Sequence, residues 1–161
     1  VQDKQPMLEL GAGVGVAGLF AAEAGHRMVL TDIHPDALLF SRINVLKNGL
    51  EDRVEVFFTD FTTTRLDRRF TRILGCEILY QDEVYRPLIK FLGRHLDTGR
   101  GAEVILAKDF RRKAKKFFKL AEPEYRWEEK VIGFKSHEQE QGDEERHLCA
   151  IYRLVSRKTR A

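Results

Sequence analysis

The sequence has little cysteine. Its 161 residues hold two, Cys76 and Cys149, far apart and in unlike surroundings. That excludes a disulfide framework, and the pair makes no metal-binding pattern; in a reducing compartment both thiols stay free. Long apolar runs are absent too. No stretch approaches the ~18–20 residues needed to span a bilayer, and no secretory leader pattern is visible, so the expectation is a cytoplasmic protein. Charge of one sign is also scarce. The 28 Lys and Arg against 25 Asp and Glu leave a net +3, too weak to argue for nucleic acid by itself. There is no internal repeat, no low-complexity linker and no cluster of metal ligands. What is present suits one globular domain, with 43% hydrophobic residues for a core and 33% charged residues for a surface. The chain opens on Val1 with a strand-like segment close behind. The expectation is a single domain over 1–161 whose preceding segment lies outside the sequence.

Strand and helix patterns alternate. Met7–Leu10 reads as a strand, Gly11-Ala12-Gly13-Val14-Gly15 as a tight turn, and 16–24 as a helix stopped by Gly25. A second strand over 27–31 ends at Asp32. Pro35 then starts a helix that carries Leu38, Leu39, Ile43 and Leu46 on one face and stops at Asn48-Gly49. Strands over 54–58, 70–75 and 102–107 follow, with Asp82 capping a helix through Leu96 and a Lys- and Arg-rich helix over 110–121. Segments 125–134 and 147–155 read as a hairpin around the acidic loop 138–145. Strands separated by helices mean βαβ units and a parallel sheet covered on both faces. The last two strands have no helix between them and pair antiparallel at one edge. The predicted class is therefore α/β: a Rossmann-like doubly wound sheet, mostly parallel, with an antiparallel C-terminal hairpin.

In such a sheet ligands bind beyond the carboxyl ends of the strands. Three of those ends carry acids: Glu9 before the glycine turn, Asp32 after the second strand and Asp60 after the third. Gly11, Gly13 and Gly15 allow a tight turn and let a ligand lie against bare backbone. Asp32 falls 19 residues after Gly13, the right reach for ribose hydroxyls. Gly13-Val14-Gly15-Val16-Ala17-Gly18 also fits the dinucleotide pattern, so a nicotinamide-dependent oxidoreductase is a rival. A pyrophosphate is anionic and disfavours a carboxylate at Glu9, whereas S-adenosyl-L-methionine carries cationic groups on its methionine end. The methyl donor is the better match.

At these residues the chain resembles the class I S-adenosylmethionine-dependent methyltransferases, and more narrowly the family-16 group, which holds many protein-lysine methyltransferases. Leu8-Glu9-Leu10-Gly11-Ala12-Gly13-Val14-Gly15 resembles the first motif and Thr31-Asp32, followed by Ile33, the ribose-binding acid. Thr59-Asp60-Phe61 is similar to the acid and neighbour that contact adenine. Leu74-Gly75-Cys76-Glu77-Ile78-Leu79-Tyr80 resembles the group's D-x-x-Y segment, with Glu77 where the family usually has Asp. The likeness covers about 7–110, and the family's N-terminal segment is absent. It implies methylation of a protein lysine, with Glu77 orienting the amine and Tyr80 shaping the acceptor slot. A small molecule or RNA acceptor, and a cofactor-binding scaffold without turnover, are the other readings. No membrane partner is expected.

Each residue also has a plainer reading. Glu77 can pair with an arginine, Tyr80 can be a half-buried aromatic, and Cys76 can be a small buried residue with no nucleophilic role. The basic run 111–116 reads as a solvated helix face over Phe110, Ala114, Phe117 and Phe118. Trp127 reads as packing, and His26, His34 and His95 carry no assigned role.

Overall fold

Seven strands form one mixed sheet in a computed structural model that describes residues 5–136 and 145–158. Strands β1 (Met7–Leu10), β2 (Met28–Asp32), β3 (Val54–Phe58), β4 (Arg72–Cys76) and β5 (Glu103–Asp109) run parallel. Strands β6 (Tyr125–Ser136) and β7 (Glu145–Ser156) close one edge antiparallel, with β7 inserted beside β5. The order across the sheet is β3-β2-β1-β4-β5-β7-β6, so the predicted α/β class and terminal hairpin are present. Every residue of β1 and β2 is buried, as parallel strands covered on both faces require.

Alternation along the strands splits the core in two. Met7, Met28, Leu30 and Val54 pack with Ala22 of α1 (Val16–Glu23) and Val45 of α2 (Pro35–Lys47). Leu8, Leu10, Val29 and Ile73 face the other way, toward α3 (Tyr85–His95) and α4 (Lys115–Ala121). There Phe117 meets Tyr85 edge-on at 5.6 Å, and Phe118 lies on Tyr152 at 4.3 Å and Trp127 at 5.2 Å. Each such side chain contributes ~1.5–3 kcal/mol by leaving water.

Several expectations are corrected. The fourth strand starts at Arg72; Phe70 is fully buried but makes only a lone bridge to Leu96. Helix α2 turns Leu38, Ser41 and Val45 inward and leaves Leu39, Ile43 and Leu46 exposed. The buried stripe runs at i, i+3, i+7 from Leu38, and Ser41 is there for polar work described below. The basic helix begins only at Lys115. Ahead of it the buried Lys108 donates to the carbonyls of Asp109 and Arg112, and Asp109 accepts the Arg111 N–H at 2.8 Å, which folds 109–112 into a turn and leaves Phe110 exposed. Asp82 caps no helix. It opens a short 3₁₀ turn, Asp82–Val84, and bonds Lys116 at 2.8 Å. Cys76 is exposed, not buried. Of the acidic loop, 138–144 lies outside the described residues.

The positions of β1 and β4 matter most. From β1 the chain winds outward through β2 to β3, then returns to lay β4 against the other side of β1. That reversal opens a crevice beyond the carboxyl ends of β1 and β4, the place where open α/β sheets hold ligands.

Candidate active site

The glycine turn after β1 forms the floor of the crevice. Gly13 sits at φ +58°, in the left-handed region where a side chain is costly. A Cβ built there meets nothing within 4 Å, so bare backbone faces open space. Gly11 differs, since a Cβ there would lie 2.8 Å from Ile78 Cγ2. It is glycine because Ile78, after β4, packs beneath it.

Asp32, 8% exposed, buckles this floor to the end of β2. Its Oδ2 accepts the Gly13 N–H at 2.9 Å and its Oδ1 accepts the His34 N–H at 2.9 Å. The turn is held from its far side by two residues that the sequence reading missed. Ser41 Oγ donates to the Gly13 carbonyl at 2.8 Å, and Asn44 Nδ2 donates to the Val14 carbonyl at 2.9 Å. The available signal was a serine three residues after Leu38, on the buried stripe of α2.

Glu9 lies below the turn and not in the crevice. It is 3% exposed, its carboxyl stands against Gly18, and Oε2 has no hydrogen-bond partner. Burial pushes its pKa up to about 7. Ile33, by contrast, is 43% exposed at the rim beside Asp32. Asp60, after β3, accepts both the Oγ1 and the N–H of Thr62, at 2.6 and 2.8 Å. Those bonds hold its carboxyl below the usual range. Phe61 turns toward the α3 side, edge-on to Phe91 at 6.4 Å.

On the other bank, Glu77 follows β4 with φ +55°, the only non-glycine positive φ among the described residues. Its carboxylate accepts the Asp109 N–H and stands 3.6 Å from Arg112 Nη1. Left-handed backbone at a non-glycine residue costs ~1–2 kcal/mol and persists where neighbours enforce it. Tyr80 is 57% exposed nearby in sequence. Desolvation, then the Glu77 charge, pushes the Cys76 thiol up, so this cysteine stays protonated. The predicted residues therefore fall into two groups. Gly11, Gly13, Gly15, Asp32 and Ile33 gather at the ends of β1 and β2, with Asp60 following β3; Glu77 and Tyr80 follow β4. Among the described residues no group of His, Cys, Asp and Glu could hold a metal ion. No helix among them is long and apolar enough to cross a membrane.

A lysine methyltransferase family model matches residues 2–124. The chain belongs to that family. It is 34% identical over 99 residues to the protein N-lysine methyltransferase METTL21A of Danio rerio, a match covering 58% of this chain and 44% of that protein. The chain thus spans less than half the length of that relative. Its fold is shared by a precorrin-6y C5,15-methyltransferase from Geobacter metallireducens, with TM-score 0.74 and 20% identity over 96% of this chain and 81% of that one. It is shared also by the glycopeptide N-methyltransferase MtfA complexed with S-adenosyl-L-methionine, with TM-score 0.65 and 17% identity over 94% and 81%. S-adenosyl-L-methionine is the cofactor of this family, and the residues fit it. The space over Gly13 is open, Asp32 keeps lone pairs beyond the two N–H bonds it accepts, and Ile33 offers an apolar rim.

Proposed function

We propose that this protein methylates the side-chain amine of a protein lysine, using S-adenosyl-L-methionine as donor. The observation that carries the reading is the bare Gly13 backbone facing open space at the sheet's switch point, pinned there by Asp32. Family membership and the METTL21A likeness support lysine as the acceptor.

The bound donor supplies a methyl carbon already activated by its sulfonium, which leaves the protein the tasks of alignment and water exclusion. Gly11, Gly13 and Gly15 lay backbone against it. Asp32 would accept from the ribose hydroxyls, and Ile33 and Asp60 would form the adenine end, whereas Phe61 packs away from it against Phe91. A lysine acceptor must arrive as the neutral amine, because an ammonium has no lone pair. Glu77, its carboxylate fixed by the Asp109 N–H and Arg112, holds the amine in line, and Tyr80 forms one wall of the acceptor slot.

Calorimetric titration tests the donor half. S-adenosyl-L-methionine and S-adenosylhomocysteine are expected to bind, NAD is not, and Asp32→Ala is expected to abolish binding. NAD binding alone would sink the reading. Radiolabelled methyl transfer in cell lysate tests the acceptor half: acid-stable label on protein lysine is expected, and label confined to RNA or small molecules would move the acceptor to another class.

A further inference from the structure

The glycine turn bears no polar side chain, and only Ala12 packs against the core, so its shape depends largely on what other elements do to its backbone. Four of its polar backbone atoms are held by β2 and α2, while the Gly15 N–H donates to the Ala12 carbonyl within the turn at 2.8 Å. The Ala12 N–H donates to the Thr31 carbonyl at 2.9 Å and the Gly13 N–H to Asp32. The Gly13 and Val14 carbonyls accept from Ser41 and Asn44. The two N–H groups are held by β2, and both carbonyls by α2, from 28 and 30 residues away.

Ser41 is 1% exposed and Asn44 is half-buried. Ser41 has no apolar contribution to make at that depth, and a buried hydroxyl needs a partner. Its partner is the residue whose N–H Asp32 already holds. Both polar ends of Gly13 are therefore gripped by side chains, one on each side of the β2–α2 connection. Gly15 leaves room for this grip, since a Cβ there would crowd Ser41 Oγ at 3.1 Å.

We propose that Ser41 and Asn44 are positioning residues that hold the glycine turn in its cofactor-accepting shape, so that α2 sets the affinity for the donor without touching it. The proposal rests on the reading of this turn as the donor's floor. When Ser41 lets go, the Gly13 carbonyl is left without its partner, the peptide between Gly13 and Val14 is free to rotate, and the flat surface over Gly13 is populated only part of the time. Apparent affinity then falls by that fraction.

Titration of S-adenosylhomocysteine into Ser41→Ala, Asn44→Ala and the double variant of the 161-residue chain tests this. Each single variant is expected to weaken binding about five- to tenfold, the size of one lost hydrogen bond. The double variant is expected to fall short of the product, because the two grips act on successive peptides of one turn. Ile89→Val, in the α3 core away from the turn, is the control for general loosening, and its dissociation constant is expected not to change. Hydrogen exchange separates positioning from bulk stability: without ligand, segment 11–16 is expected to exchange faster in Ser41→Ala while β4 and β5 do not. Binding within twofold of the parent in both single variants overturns the proposal, as does an affinity loss matched by Ile89→Val. If the parent chain itself binds no S-adenosylhomocysteine, the donor reading fails, and this proposal with it.

Discussion

Two glycines five residues apart and chemically alike are expected to fail in opposite ways. Gly18 lies within α1, and a Cβ there would stand 2.1 Å from Leu30 Cδ2 and 2.5 Å from Glu9 Oε2. Gly18→Ala must push β2 or β1 away, so it is expected to lose ~1–3 kcal/mol of stability through overpacking. Gly13→Ala meets no atom, so its stability loss is confined to the left-handed backbone, ~1–2 kcal/mol. Its methyl group points into the open space where the donor is proposed to lie, and cofactor affinity is expected to fall far more than stability. Denaturant melts paired with calorimetry check both. A Gly13→Ala protein that binds S-adenosylhomocysteine as the parent does would remove the donor from this floor. The pattern of glycines was legible in the sequence, but its division of labour was not. Spacing marks where bare backbone is wanted and does not say whether a ligand or a leucine occupies the space. Glu9 was legible as an acid at a strand end. That it points under α1, where burial outweighs any partner, is decided by the alternation of β1, in which Glu9 shares a face with Met7 and not with Leu8.

Among the elements, α2 and the approach to α4 departed most from their sequence patterns. Both departures come from polar groups overriding apolar periodicity. In α2 the apolar series Leu38, Leu39, Ile43, Leu46 was the more regular, yet the helix rotates to bring Ser41 onto the glycine turn. Ahead of α4 a single ammonium decides the boundary. Lys108, 5% exposed, reaches the carbonyls of Asp109 and Arg112 and lies over the Tyr152 ring at 5.5 Å. Carbonyls engaged there are unavailable to a helix starting at residue 110. Lys108→Met keeps the apolar stem and deletes the donor. It is expected to cost ~1–3 kcal/mol and to shift backbone resonances of 110–114 toward helical values. Unchanged shifts in that segment would show that something other than Lys108 sets the start of α4. The strand order, the parallel core and the hairpin were legible because each rests on many residues at once, which no single polar group overrides.

For the whole molecule, two buried titratable groups on opposite faces of the sheet set opposing slopes of stability against pH. Burial raises Glu9 from 4.5 to about 7, so the folded protein holds that proton more tightly than the unfolded chain. Its contribution is present in full below pH 4.5 and is lost as pH rises toward 7, a change of about 3 kcal/mol. His95 is 2% exposed, with Nδ1 2.8 Å from the Phe91 carbonyl and Nε2 accepting the Leu66 N–H at 3.0 Å. Burial holds it below 6.5, so its contribution is present above that pH and is lost as pH falls. The slopes offset each other in the ligand-free parent. Glu9→Gln removes one, and its denaturation midpoint is expected to climb from pH 5 to pH 7 and to exceed the parent's at pH 8. Identical profiles for the two proteins would mean that Glu9 ionises in the fold as it does in water.

The sheet order β3-β2-β1-β4-β5-β7-β6 also divides the molecule by how the chain supplies its parts. Gly11 through Phe61, with Ser41 and Asn44 between, form one uninterrupted stretch of chain on the β1–β3 side. Glu77, Asp109 and Arg112 are brought together from separate stretches after β4 and β5. Insertions and exchanges in the later loops can therefore accumulate without disturbing the earlier stretch. One bank stands or falls with a single run of chain, while the opposite bank can be altered one loop at a time.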